Sequence, residues 1–164
     1  MRRVVLFAAA LAVLALGIAS MVSLPKKLLY NGSASAPVGF YWLDDGSFQR
    51  GDFVALQVPE RIRELVEDRG YLPPNVPLIK RIVGGPGDEI CRIGLEVRIN
   101  GVTIAMAQIV DGSGREMPFW SGCHVLHGRR VFLLQDNPDS FDSRYFGPVD
   151  RRLIIGRATQ LRLH

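Results

Sequence analysis

Two serines near the start of this chain have the surroundings that a nucleophile needs. Ser33 and Ser35 lie in Asn31-Gly-Ser33-Ala-Ser35-Ala-Pro37-Val-Gly39-Phe-Tyr41. Ala34 and Ala36 leave room beside the hydroxyls for a substrate carbonyl. Pro37 fixes its own φ and pushes Ala36 toward extended backbone, which stiffens the segment. A backbone N–H beside the serine can then face a developing oxyanion. Such a stretch is also what an ordinary loop looks like, and a serine needs a base before it can attack.

A candidate base lies in Pro77-Leu-Ile-Lys80-Arg81-Ile-Val-Gly-Gly-Pro-Gly-Asp88, where two cations interrupt an apolar strand. Alternation groups Lys80 with Leu78 and Ile82, and Arg81 with Ile79 and Val83. Both faces are apolar, so the period does not say which cation is interior. Chemistry separates them. A guanidinium keeps its charge, whereas a desolvated lysine can lose its proton. A lysine on an edge strand is equally a guard against aggregation.

Two further constellations compete with this pair. Cys123-His124, with His127 nearby, offers a thiol nucleophile and an imidazole. Neighbours on a strand point to opposite faces, however, and Cys91 gives Cys123 a simpler partner. A zinc site from these cysteines and histidines matches no common ligand spacing. The other constellation is Asp136-Asn137-Pro138-Asp139-Ser140-Phe141-Asp142-Ser143-Arg144. Asp-Asn-Pro-Asp is turn chemistry, and Asp142 and Arg144, two apart, can form an ion pair at a surface. A catalytic carboxylate here would need a second acid from elsewhere.

The elements that must position these groups follow from hydropathy and punctuation. Val4–Leu24 carries no charge. As a helix it spans roughly 30 Å, the thickness of a bilayer core. It is longer than the usual apolar region of a cleaved signal peptide, although a small residue such as Ala19 could serve a cleaving enzyme. An uncleaved anchor over residues 1–24 is expected, with the remaining domain over 25–164. Arg2, Arg3 and the α-amine precede the span, against Lys26 and Lys27 after it, a slight bias toward a cytoplasmic amino terminus. If the body then lies outside the cytoplasm, Cys91 and Cys123 can pair; otherwise they are two free thiols. A bond would close a loop of about 33 residues, worth ~3–4 kcal/mol in the chain-entropy model.

Short apolar runs predict strands over Gly39–Leu43, Asp52–Gln57, Leu78–Val83, Glu89–Ile93, Glu96–Ile99, Val102–Ile109, Arg130–Leu134 and Leu153–Leu163. Asn100-Gly101 is the strongest hairpin signal. Glu60–Arg69 reads as a helix stopped by Gly70, with Ile62, Leu65 and Val66 on one face. The sum is a mainly β fold: an antiparallel, partly closed β-domain with one short covering helix, preceded by a transmembrane helix. The chain of 164 residues carries a net charge of +4, with Lys and Arg scattered, which gives no footprint for nucleic acid.

The three chemical stretches together resemble the Ser/Lys signal peptidase family. That family has a serine soon after an anchor, a lysine strand ending in a Gly-x-Pro-Gly-Asp turn, and an Asp-Ser-Arg segment. The counterparts are Ser35, Lys80 within IKRIVGGPGD, and Asp142-Ser143-Arg144 within DSFDSRYFG. General signal peptidases read Ser-Met-x-Pro at the nucleophile. Ser35-Ala-Pro37, the cysteine pair and Met117-Pro-Phe-Trp-Ser-Gly-Cys123 instead resemble the TraF branch, the conjugative-transfer peptidases that mature pilin subunits.

This resemblance implies a signal-peptidase-like β-domain, no cofactor and no metal. Ser35 would be the nucleophile and Lys80 the general base. Ser33 would add an oxyanion donor, Ser140 would orient the lysine, and Asp142 and Arg144 would buttress the site. The chain would be a single-pass protein of a bacterial inner membrane with a periplasmic catalytic domain. Its partners would be the lipid bilayer and a membrane-tethered precursor, a conjugative pilin subunit first, with cyclisation through the acyl-enzyme open. The alternatives are a general leader peptidase and a non-catalytic, membrane-anchored scaffold of a secretion or conjugation apparatus.

Overall fold

The computed structural model of the protein describes Leu11 and residues 27–161. The expected membrane span therefore lies outside the described residues. Among those described, no helix is long and apolar enough to cross a membrane.

Eleven strands among the described residues form two antiparallel sheets. In chain order they are β1 (Leu28–Asn31), β2 (Gly39–Asp44), β3 (Phe53–Leu56), β4 (Leu78–Gly84), β5 (Glu89–Ile93) and β6 (Glu96–Ile99), then β7 (Val102–Met106), β8 (Gly122–Val125), β9 (Arg130–Leu134), β10 (Val149–Asp150) and β11 (Ile154–Gln160). The larger sheet runs β1-β2-β11-β3-β4-β9-β10, and the smaller runs β7-β6-β5-β8. Helix α1 (Glu60–Asp68) lays Ile62 and Val66 on the larger sheet's core, beside Leu78, Phe141 and Tyr145. Gly70, at φ 64°, ends that helical segment as expected. A second helix, α2 (Ser143–Phe146), is a single turn.

The predicted strands are present, and their ends show what pattern alone misses. Val102–Ile109 stops at Met106, opposite Glu96, where its partner strand gives way to the Gly94-Leu95 turn. Leu153–Leu163 opens as a 3-10 turn over Arg151–Leu153 and pairs as a strand over Ile154–Gln160, with positions 162 and 163 outside the described residues. Strands β1, β8 and β10 were not expected. β10 has two residues, all of β8 is exposed, and neither has a period to read. Asn100 and Gly101 turn the β6–β7 hairpin at φ 51° and 82°, a conformation that few other residue pairs tolerate.

Three features fix the parts that matter for chemistry. The β1–β2 hairpin presents Ser33 and Ser35 at its tip and joins the sheet through β11. Gly156 in β11 sits at a bulge where an added Cβ would lie 2.7 Å from Asp44 O. β4 ends in the Gly-Gly-Pro-Gly-Asp turn, whose Asp88 accepts from Gly85 N at 2.8 Å and Asn100 Nδ2 at 2.9 Å, and pairs with Arg50. Cys91 on β5 faces Cys123 on β8, and the two sulfurs are joined.

A fourth feature, the Asp142–Arg144 pair, corrects an expectation. Asp142 and Arg144 form an ion pair, but it is interior rather than superficial: their side chains are 0% and 2% exposed. Asp142 caps α2 instead of lying in an extended run, accepting from Arg144 N at 3.1 Å and Arg144 Nε at 2.8 Å. Its other oxygen accepts from Arg144 Nη2 at 2.9 Å and Gln135 N at 3.0 Å. Arg144 then donates to the carbonyls of Gln135 at 2.8 Å, Pro138 at 3.0 Å and Asn137 at 3.2 Å. One guanidinium thus gathers the whole 135–144 loop around itself. Isolating either charge in this interior is costly.

Arg144→Ala is therefore expected to destabilise the purified full chain by about 3–5 kcal/mol in denaturant unfolding. Asp142→Leu combined with Arg144→Met should recover part of that loss, since no lone charge remains. Mass analysis of the unreduced chain should find the two hydrogens of Cys91 and Cys123 missing, and reduction should restore them.

Candidate active site

The serine loop is braced by its own first residue. Asn31 Nδ2 donates to the carbonyls of Ser33 and Ala36 at 3.0 Å each and of Pro37 at 3.2 Å. Its Oδ1 accepts from Ser33 N at 3.2 Å and Ser33 Oγ at 2.9 Å. From below, the hydroxyl of buried Tyr41 donates to Pro37 O at 2.8 Å. From across the site, Asn137 Nδ2 donates to Ala34 O at 3.0 Å. A loop rich in small residues is thus fixed by three side chains rather than by its own packing.

Ser33 Oγ and Ser35 Oγ are 2.9 Å apart. Ser33 has one hydroxyl hydrogen and two acceptors within reach, Asn31 Oδ1 and Ser35 Oγ. When it donates to Asn31, Ser35 donates to Ser33. A role for Ser33 at an oxyanion requires its hydroxyl to turn away from both.

On β4 the structure separates the two cations that periodicity left equivalent. Lys80 points inward with Leu78 and Ile82 and is 1% exposed. Arg81 points the other way, its guanidinium 4.6 Å from the Phe53 ring centroid and 3.4 Å from Asp136. Lys80 Nζ donates to Ser140 Oγ at 2.7 Å, and Ser140 is also 1% exposed. Ser140 is set by the turn, donating its N–H to Asn137 O at 3.1 Å. Burial is the main influence on Lys80, lowering its pKa from 10.5 to about 8. Asp142 opposes that fall and Arg144 adds to it. A sizeable fraction of neutral amine is therefore present near neutral pH.

Ser33, Ser35 and Lys80 line one cleft of about 570 Å³ between the hairpin tip and the 135–144 loop. Its apolar wall includes Leu78, Phe141 and Tyr145. Ser35 and Lys80 are not hydrogen-bonded to each other here; each holds a different hydroxyl. Catalytic contacts often tighten only when substrate is bound. Asp142 and Arg144 stand behind Ser140 rather than in the cleft. Cys91 and Cys123 lie on the smaller sheet and offer no free thiol to His124. No signal in the sequence announces that Asn137 reaches Ala34, because the two are far apart in the chain. Nor did it single out Gln108, which lines the cleft opposite Asp139.

Comparison with known proteins gives the family. The family model for signal peptidase, peptidase S26, matches residues 1–162. A plasmid transfer protein TraF of Escherichia coli is 33% identical over 136 residues, covering 76% of this chain and 77% of its own. A probable conjugal transfer protein TraF of Sinorhizobium fredii (strain NBRC 101917 / NGR234) is 31% identical over 143 residues, covering 80% of this chain and 74% of its own. A crystal structure of a signal peptidase I from Enterococcus faecalis V583 aligns with TM-score 0.41 and 22% identity over 68% of this chain and 97% of that one. With a family match along nearly its whole length and TraF proteins among its relatives, the chain belongs to the signal peptidase S26 family and is of the TraF type.

Proposed function

We propose that the chain is a membrane-anchored serine endopeptidase with a Ser35/Lys80 dyad, which processes exported precursors for conjugative transfer. The observation that carries this reading is the buried Lys80 amine, held by Ser140 at 2.7 Å in the cleft that also contains Ser35. Neutral Lys80 takes the Ser35 proton as Oγ attacks a peptide carbonyl. Ser35 first turns its hydroxyl from Ser33 toward the lysine. The protonated lysine then gives its proton to the departing amine, leaving an acyl-enzyme. Water or a second amine resolves the ester. Ser140 keeps the amine aimed, the Asp142–Arg144 pair fixes Ser140, and Ser33 turns to donate to the oxyanion.

The plasmid and conjugal transfer names of the relatives favour a pilin precursor as substrate over exported proteins in general. An apolar surface supports the proposed membrane location. Leu28 opposite Trp42 and Tyr30 opposite Phe40 form an exposed face on the β1–β2 hairpin, which follows the apolar segment at residues 4–24. Ser35 lies about ten residues past that segment, so the extended link reaches no more than roughly 35 Å. On this reading the amino terminus is cytoplasmic and the cleft faces the periplasmic side of the inner membrane.

Ser35→Ala is expected to abolish maturation of a pilin precursor, read by mass spectrometry of pilin from cells carrying either form. Lys80→Arg keeps the charge and removes the base, so it should fold and fail to process. Normal maturation in either variant would refute the dyad.

The pH dependence follows from the lowered lysine. Processing by the wild type should rise about tenfold per pH unit below about 8 and level off above it. Stability moves with the same proton. Below about 8 both folded and unfolded chains bind it, and the folded state carries the cost of a buried ammonium. Between about 8 and 10.5 the folded state sheds it first, so stability rises with pH. Lys80→Met should therefore be more stable than wild type at pH 7, by up to ~3 kcal/mol, with the gap closing in alkali. Thermal unfolding of both chains across that range checks the sign.

A further inference from the structure

The cleft contains two carboxylates besides the Ser/Lys pair, Asp111 and Asp139. Their electrostatic situations are opposite. Asp111 accepts from the Tyr71 hydroxyl at 2.5 Å and Arg115 Nε at 2.8 Å, with Arg69 Nη1 at 3.9 Å. It also accepts from the N–H groups of Ser113 and Arg115, each at 2.9 Å. Its charge is met twice over, and it serves to shape its own loop.

Asp139 is exposed to the cleft, and Oδ1 accepts from Gln108 Nε2 at 2.8 Å. Gln108 is in turn fixed by its own N–H, which donates to the Tyr145 hydroxyl at 3.1 Å. Among the described residues no cationic side chain pairs with Asp139. Its neighbours in the same loop do have such partners: Asp136 faces Arg81 and Asp142 faces Arg144. Lys80 is the one cation lining this cleft, and it is neutral when it acts as a base. The cleft therefore holds one uncompensated carboxylate, oriented by an amide and adjacent in sequence to the serine that holds the lysine.

We propose that Asp139 is a specificity-determining residue that binds a cationic group of the substrate beside the scissile carbonyl, with Gln108 positioning it. This rests on the Ser35/Lys80 reading. The cation has two possible sources: the free α-ammonium of an acceptor chain that resolves the acyl-enzyme, or a basic side chain flanking the cleavage point. In the first case the chemistry balances without a co-reactant. The acceptor ammonium gives one proton to Lys80, which became neutral when the first leaving group departed. Its nitrogen then bonds to the ester carbon as the bond to Ser35 Oγ breaks. The second proton goes to Ser35 Oγ, and Lys80 releases the first to solvent.

The test uses the full chain with N-acetylated alanyl p-nitrophenyl ester as a neutral acyl donor, and Asp139→Asn, which keeps an acceptor for Gln108. In one arm glycinamide is the amine acceptor, and the ratio of amide to hydrolysis product is measured. In the other, donors bearing lysine or norleucine beside the alanine are compared. An acceptor source predicts that Asp139→Asn raises the KM for glycinamide about fivefold while acylation by the neutral ester is unchanged. A side-chain source predicts that the wild type prefers the lysine donor and that the variant loses the preference. Both effects should shrink in high salt. The proposal is overturned if Asp139→Asn changes neither the glycinamide KM nor the donor preference. It falls together with the dyad if the wild type gives no p-nitrophenol burst sensitive to Ser35→Ala, a result that separates the two failures.

Discussion

A buried amine with no carboxylate in contact is the constraint around which this molecule is arranged. Lys80 lies among aliphatic and aromatic side chains, and its hydrogen bond is to a hydroxyl, not to an acid. A contacting carboxylate would have stabilised the ammonium and held the amine charged. Asp142, whose charge favours the ammonium, is instead locked onto Arg144, whose own charge works against it. The interior ion pair thus has two effects: it ties the 135–144 loop together, and it keeps Asp142 from becoming a contacting partner of Lys80.

Carrying an unpaired amine in the interior costs stability at neutral pH, and the surrounding structure offsets that cost with rigid supports. β4 is paired on both sides, by β3 and β9, so the lysine backbone cannot drift. Gln135 Nε2 donates to Ile79 O at 2.8 Å, binding the loop to the strand one residue from Lys80. On the opposite wall Asn31 performs for the serine loop what Arg144 performs for the other. In both cases one polar side chain collects several carbonyls of a loop that has little apolar surface of its own.

Much of this was legible in the chain. The strand around Lys80 and the Asn100-Gly101 hairpin follow from local rules, as do the amphipathic helix and its glycine stop. The residue types at Ser35, Lys80 and Asp142-Ser143-Arg144, in that order, led to the family. What could not be read was anything decided by the third dimension. Alternation alone could not choose between Lys80 and Arg81, because Ile79 and Val83 make the arginine's row as apolar as the lysine's. The spacing of Asp142 and Arg144 fits a turn, and turns usually lie outside, so the sequence alone points to a superficial pair. Their burial comes from β9, α2 and Arg92, whose Nη1 donates to Arg144 O at 2.6 Å from another sheet. Strands β1, β8 and β10 are defined by their partners and carry no pattern of their own.

The sheet order has a temporal corollary. β11 stands between β2 and β3 and is the last strand of the described fold to leave the ribosome. Until residues 154–160 insert, the hairpin bearing Ser35 has no sheet contact with the half bearing Lys80. A nascent copy thus emerges with Ser35 and Lys80 on two unjoined halves, and the cleft between them is assembled only when residues 154–160 zip those halves together.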